Sequence, residues 1–165
     1  LVISDVAVIP LPDFKQKMVQ IGYLARTANL LGIATPKIAC IAPSEQLLPN
    51  VISSTEGALL AKMADRGQLG NVVVDGPLSL DVALYKEVAE HKKVKGSSVA
   101  GDPDCLLFPN LESANVFFKS VTHLCGGELA AMVMGTKVPC VLTSRGDTSK
   151  TKLFSIALAC LAVKK

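Results

Sequence analysis

Hydrophobic positions along the chain recur with two spacings that alternate from one segment to the next. Residues 2–9 are apolar and β-branched and stop at Pro10-Leu11-Pro12, which predicts a strand. Over residues 15–31 the apolar side chains Met18, Ile21, Leu24, Ala25, Ala28 and Leu31 fall on one helical face, and Gly32 stands where a helix stops. Residues 37–42 predict a short buried strand. Residues 54–66 predict a helix entered through Ser and Thr and closed at Gly67. Residues 71–74 predict a strand that closes at Asp75-Gly76-Pro77, and residues 80–90 a helix. A loop follows over 96–103, then a strand over 105–108 and a helix over about 111–124. Residues 129–134 and 138–142 predict two more strands, and residues 148–163 a last amphipathic helix. Short, continuously apolar strands alternating with helices predict βαβ units: an α/β fold with a mainly parallel sheet and helices on both faces.

Composition narrows this picture. The 165 residues suit about one domain. Half are hydrophobic, 19% are charged, and mean hydropathy is +0.42, which excludes a disordered chain. No apolar run approaches the roughly 20 residues of a membrane span. The first residues, Leu1-Val2-Ile3-Ser4-Asp5, carry neither an initiator Met nor the basic flank of a signal peptide, so we expect a start other than a natural one. A net charge of +3 with 4% aromatic residues is too little for a nucleic-acid groove. Lys92-Lys93-Val94-Lys95, the one basic cluster inside the chain, reads as a solvated loop. Five cysteines form no CxxC pair, and Cys40, Cys105, Cys140 and Cys160 sit in apolar strings. They predict reduced core thiols in a cytoplasmic protein. His91 and His123 lack zinc-ligand spacing, so no metal is expected.

In open α/β sheets, ligands bind beyond the carboxyl ends of the strands. The predicted strand ends carry Asp75-Gly76-Pro77, Pro109-Asn110, Gly135-Thr136-Lys137 and Thr143-Ser144-Arg145-Gly146-Asp147. The last set is the most informative. Two hydroxyls and a planar bidentate donor stand just before a predicted helix, whose first N–H groups and dipole favour an anion. The same stretch also reads as an ordinary capped helix with an exposed arginine, since Asp147, Thr148 and Ser149 are N-cap residues. Asn115 and Lys119 stand four apart on one helical face, where they can meet one ligand or simply face water. No GxGxxG or P-loop pattern is present.

At these segments the sequence resembles the phosphate acyltransferases, the family of phosphate acetyltransferase and phosphate butyryltransferase. The matching strings are Val74-Asp75-Gly76-Pro77-Leu78, Ser98-Val99-Ala100-Gly101 and Phe108-Pro109-Asn110-Leu111-Glu112-Ser113-Ala114-Asn115. Phe118-Lys119, Lys137-Val138-Pro139, Thr143-Ser144-Arg145 and Ala61-Lys62-Met63-Ala64-Asp65-Arg66-Gly67 follow the same pattern, in register from about Lys15 onward. The run around Thr143 and the stretch Thr151-Lys152-Leu153 look closer to the butyryl branch.

The resemblance implies the reaction acyl-CoA + phosphate ⇌ acyl phosphate + CoA, with a butyryl or branched short acyl chain. Phosphate acetyltransferase and a non-catalytic, truncated CoA-binding or dimerisation module are the alternatives. It implies an isocitrate/isopropylmalate dehydrogenase-like fold of two domains, working in the cleft between them, as a homodimer. No metal or prosthetic group is implied, and CoA enters as a substrate. Ser144 and Arg145 match the family's catalytic pair. Thr143, Asp75, Asn115 and Lys119 are the implied substrate-binding residues. Thr151 stands where the acetyl enzymes carry an aspartate proposed as the base for the CoA thiol, which leaves the base open. Residues 1–134 correspond to the second, dimer-forming domain, with a segment expected to be missing between 14 and 15. Residues 135–165 correspond to a strand and helix returning to a first domain that is mostly absent here.

Overall fold

The computed structural model describes residues 1–163, which form two compact units, residues 1–116 and residues 117 onward. The first unit is built on a four-stranded, wholly parallel sheet: β1 (Val2–Ser4), β2 (Lys37–Ile41), β3 (Val73–Leu78) and β4 (Cys105–Leu107), in the order β1-β4-β2-β3. Helices α1 (Phe14–Leu30) and α2 (Ile52–Asp65) pack against it. Ile21, Leu24 and Ala28 of α1 and Leu60 of α2 share one core with Ile38, Cys40, Val74, Cys105 and Leu107. Strand alternation turns the register partners Ala39 and Leu106 to the opposite face, and both are fully buried there. The short helices α3 (Leu80–Leu84) and α4 (Lys86–His91) follow β3, and α3 packs against β2.

The α/β alternation stands, with local corrections. The first strand stops at Ser4, because the Asp5 carboxylate accepts hydrogen bonds from the N–H groups of Ala7, Val8 and Ile9 (3.0, 3.1 and 2.7 Å) and curls residues 5–9 into a loop. Helix α1 opens on a capping box between Asp13 and Gln16. Helix α2 begins two residues early, at Ile52. Ser54 is buried: its hydroxyl accepts from Leu48 N–H (2.8 Å) and donates to the Gln46 carbonyl (3.1 Å). The predicted helix over 80–90 divides at Tyr85, whose backbone is extended.

The strand expected to close at Asp75 runs on through Gly76 and Pro77 to Leu78. Strand β3 is an edge strand paired only with β2, so Pro77 costs no ladder donor in the sheet interior. Gly76 is required by close approach: a Cβ there would lie 2.6 Å from Cys40 Cβ and 3.3 Å from Gly57 Cα. We expect Gly76→Ala to destabilise the fold by about 1–3 kcal/mol, the cost of overpacking. Gly22→Ala, on an open face of α1, should be neutral or stabilising. Urea denaturation of both variants checks this. Equal stabilities would show that Cys40 and α2 yield freely.

The second unit holds the C-terminal part of α5 (Leu111–His123) and all of α6 (Ser149–Ala162). Helix α5 ends as the Cys125-Gly126-Gly127 run predicts: Gly126 has φ 67° and Gly127 N–H donates to the Val121 carbonyl at 2.9 Å. The strands expected over 129–134 and 138–142 are absent among the described residues. A single antiparallel bridge, Val133 to Cys140, stands in their place. Apolar β-branched runs become strands only where a ladder accepts their N–H and C=O groups, and this unit offers none. Of the cysteines, Cys40 and Cys105 are core residues as expected. Cys140 is half-buried and Cys125 and Cys160 are exposed; all five are free.

Candidate functional site

Parallel strands place their following loops at one end of the sheet, and the loops after β1 and β4 meet there. Beyond β1, the Asp5-centred loop is pinned at three points. Phe108 N–H donates to the Ser4 carbonyl (3.0 Å), Leu111 N–H to the Pro10 carbonyl (3.0 Å), and the Asn115 side-chain amide to the Val6 carbonyl (2.8 Å). Asn115 therefore holds the loop with its amide N–H. Beyond β4, Asn110 caps α5: its side chain accepts from Ser113 N–H at 2.9 Å. Asp75 lies in β3 itself and folds back onto Gly76 N–H at 2.8 Å. It also acts on Cys40. Burial pushes that thiol up to about 12, the Asp75 charge adds to the rise, and Lys17 opposes it. Burial, with Asp104, raises Cys105 to about 12 as well. Both thiols stay protonated at neutral pH and are poor nucleophiles.

The basic cluster is exposed, as a solvated loop predicts, but Lys92 within it is also engaged. Lys92 pairs with Asp81 (2.9 Å) and Glu45 (3.6 Å) and reaches Ser79 Oγ (3.3 Å), tying together the segments that follow β2 and β3. Hydrogen bonds from Ser79, and then from Lys92, hold Asp81 down at about 2, and Asp81 in turn raises Lys92. A depressed carboxylate stabilises the fold above its unfolded value, near 3.8 here, and that contribution is lost as pH falls through about 2. Carboxylate NMR should therefore place the Asp81 midpoint near 2. Lys92→Gln should move it upward, but not fully to 3.8, since Ser79 remains. An unmoved midpoint would remove Lys92 from this role.

In the second unit, residues 143–148 form the approach to α6. Ser144 N–H donates to the Asp147 carboxylate (2.6 Å) and Asp147 N–H to the Ser144 carbonyl (3.1 Å), so the segment closes into a turn. Thr148 caps α6, its hydroxyl accepting from Thr151 N–H at 3.1 Å. The capped-helix reading is thus realised, and Arg145 remains exposed beside the helix start, with no ion pair among the described residues. Thr143 is half-buried. Thr151 Oγ1 lies 3.2 Å from the Thr148 hydroxyl. Lys119 rests over the Phe118 ring, 4.8 Å from its centre. The structure thus brings Thr143, Ser144 and Arg145 together at one helix entrance, while Asn115 and Lys119 turn to separate partners.

Sequence reasoning missed Asp5 and the buried pair of Lys17 with Glu56 (2.5 Å). The second carried a signal: Lys17 precedes Ile21, Leu24 and Ala28 at the spacing of their buried stripe. Among the described residues no cluster of His, Cys, Asp and Glu could hold a metal ion. No helix among them is long and apolar enough to cross a membrane.

The family model described as "Phosphate acetyl/butaryl transferase" matches residues 1–160. The chain is 44% identical to the phosphate butyryltransferase of Clostridium acetobutylicum over 161 residues, covering 98% of this chain and 53% of that one. It is 40% identical to the phosphate acetyltransferase of Thermotoga maritima over 159 residues, covering 96% and 54%. A branched-chain phosphotransacylase from Enterococcus faecalis V583 superposes with a TM-score of 0.88 at 31% identity, over 96% of this chain and 56% of that one. The chain spans about half the length of the curated relatives it matches.

Proposed function

The chain belongs to the phosphate acetyl/butaryl transferase family, and from that premise we propose that the protein interconverts acyl-CoA plus phosphate with acyl phosphate plus CoA. One observation carries this reading: Ser144 and Arg145, the latter without an ion pair among the described residues, stand together at the entrance of α6, on the segment where the family's catalytic pair is expected. A phosphate oxygen attacks the thioester carbon, a tetrahedral oxyanion forms, and CoA leaves as its thiolate. Arg145 holds phosphoryl oxygens or the oxyanion, and Ser144 donates a hydrogen bond to the oxyanion or thiolate. Fixing both substrates side by side supplies proximity. Thr143, Asp75, Asn115 and Lys119 serve as substrate-binding residues in this reading, with CoA a substrate and no bound metal or prosthetic group. Thr151 is no base at neutral pH. In the reverse direction Arg145 and the α6 dipole favour the thiolate form of CoA.

The finer architecture is part of the proposal. Residues 1–134 belong to the second domain of an isocitrate/isopropylmalate dehydrogenase-like, two-domain protein, dimerising through it. Residues 135–165 return to the first domain, and the reaction runs in the cleft between domains of a cytoplasmic homodimer. Support comes from the solvent face of the C-terminal part: Leu142, Leu153, Ile156 and Leu161 are 64, 62, 55 and 56% exposed, an apolar load that a missing domain would cover. We assign a butyryl or branched short acyl chain, following the Clostridium and Enterococcus relatives; the Thermotoga relative favours acetyl as the second reading.

A thiol-release assay on the full-length protein tests this. Butyryl-CoA is supplied with and without phosphate, and free CoA is followed with a thiol reagent. Release that requires phosphate is the expected result, and acetyl-CoA in its place decides the branch. No release from folded protein overturns the enzyme reading and leaves a CoA-binding module.

A further inference from the structure

Strands β2 and β3 are neighbours, yet the chains that leave them go to opposite faces of the sheet. Helix α2, after β2, shares one core with α1. The connection from β3 to β4 runs back past β2, so a right-handed crossover puts it on the other face. Helix α3 agrees: it packs against β2, and its Val82 and Ala83 are fully buried without joining the core of α1 and α2. The two chains stay paired as far as Ala42, whose N–H donates to the Leu78 carbonyl at 2.9 Å, and then part. In open α/β sheets a parting of this kind is where ligands bind.

One side-chain cluster spans the parting. Glu45, on the segment leaving β2, accepts from the hydroxyl of Ser79, on the segment leaving β3, at 3.2 Å. Lys92 Nζ, at the end of α4, lies 2.9 Å from Asp81, 3.3 Å from Ser79 Oγ and 3.6 Å from Glu45. No other hydrogen bond or ion pair among the described residues joins residues 43–51 to residues 79–95. One ammonium therefore holds two carboxylates, and without it Glu45 and Asp81 would face each other as like charges. We infer that Lys92 and Glu45 are positioning residues: they hold residues 43–51 at the β2–β3 parting and, resting on the acyltransferase reading above, set the affinity for substrate there without entering the chemistry.

The test reverses charges in the full-length protein. It reads steady-state kinetics of phosphate-dependent CoA release and amide hydrogen exchange over residues 43–51. Lys92→Glu puts three carboxylates together. It should speed exchange in that segment and raise KM by about fivefold, the upper scale of one exposed ion pair, with kcat within about twofold of wild type. The swap of Lys92→Glu with Glu45→Lys again sets one ammonium between two carboxylates and should bring both readouts back toward wild type. Lys95→Glu makes the same change in net charge at an exposed lysine that has no ion pair among the described residues, and should move neither readout. Unchanged exchange in Lys92→Glu, or a loss that the swap does not recover, overturns the hold on the segment. Faster exchange with an unchanged KM, or an equal rise in KM for Lys95→Glu, shows that the segment does not position substrate. A fall in kcat with KM unchanged overturns the positioning role as well. A wild-type protein that releases no CoA removes the acyltransferase reading, and with it any role in turnover, while the exchange arm still decides whether the hold exists.

Discussion

Arg145→Ala is expected to lower kcat/KM for the phosphate-dependent release of CoA by about 100-fold or more, the scale of losing one fixed donor to a developing oxyanion. The fold should be unaffected. Arg145 is exposed and makes no ion pair among the described residues, so its removal exposes no core and orphans no charge. Substitutions of that kind stay within about 0.5 kcal/mol of wild type. The conservative variant separates charge from geometry. Arg145→Lys keeps the cation but loses the planar fork that grips two oxygens at once. We expect it to recover part of the loss, chiefly in KM for phosphate. Ser144→Ala should cost less, since one neutral hydrogen bond is at stake. Thermal melts run beside the kinetics complete the test. Full turnover by a folded Arg145→Ala protein would exclude this residue from the chemistry, and with it the α6 entrance.

The alternation of strands and helices through residue 123 was legible because buried strands and helix stripes differ in period, and period is a local property. What escaped depended on neighbours distant in sequence. Residues 129–134 and 138–142 have the composition of strands, yet whether such a run joins a ladder depends on a partner that composition does not name. Asp75-Gly76-Pro77 carries every mark of a turn. It remains in β3 because that strand lies at the sheet edge, a fact of topology. Asn115 was placed on the correct helix, but its bond to the Val6 carbonyl spans 109 residues, and no spacing rule reaches that far. Thr148 was different: its cap on α6 is a contact of three residues and could be read directly. The candidate pair Ser144 and Arg145 was found through strand-end logic reinforced by a family resemblance. The predicted strand before it is absent, so the resemblance and the helix start carry that assignment.

Lys17→Met alone is expected to destabilise the protein by about 3 kcal/mol at neutral pH, the lower part of the range for breaking a buried ion pair. The lower part applies because Glu56 keeps 21% of its side chain exposed while Lys17 keeps 6%. The loss comes less from the missing attraction than from a carboxylate left in a slot walled by Cys40, Leu107 and Phe108. Lys17→Met combined with Glu56→Met must then restore most of the stability, since no charge is left to solvate. Urea denaturation of the single and the double variant at pH 7 reads this. A double variant as unstable as the single one would mean that the lysine stem packs rather than pairs.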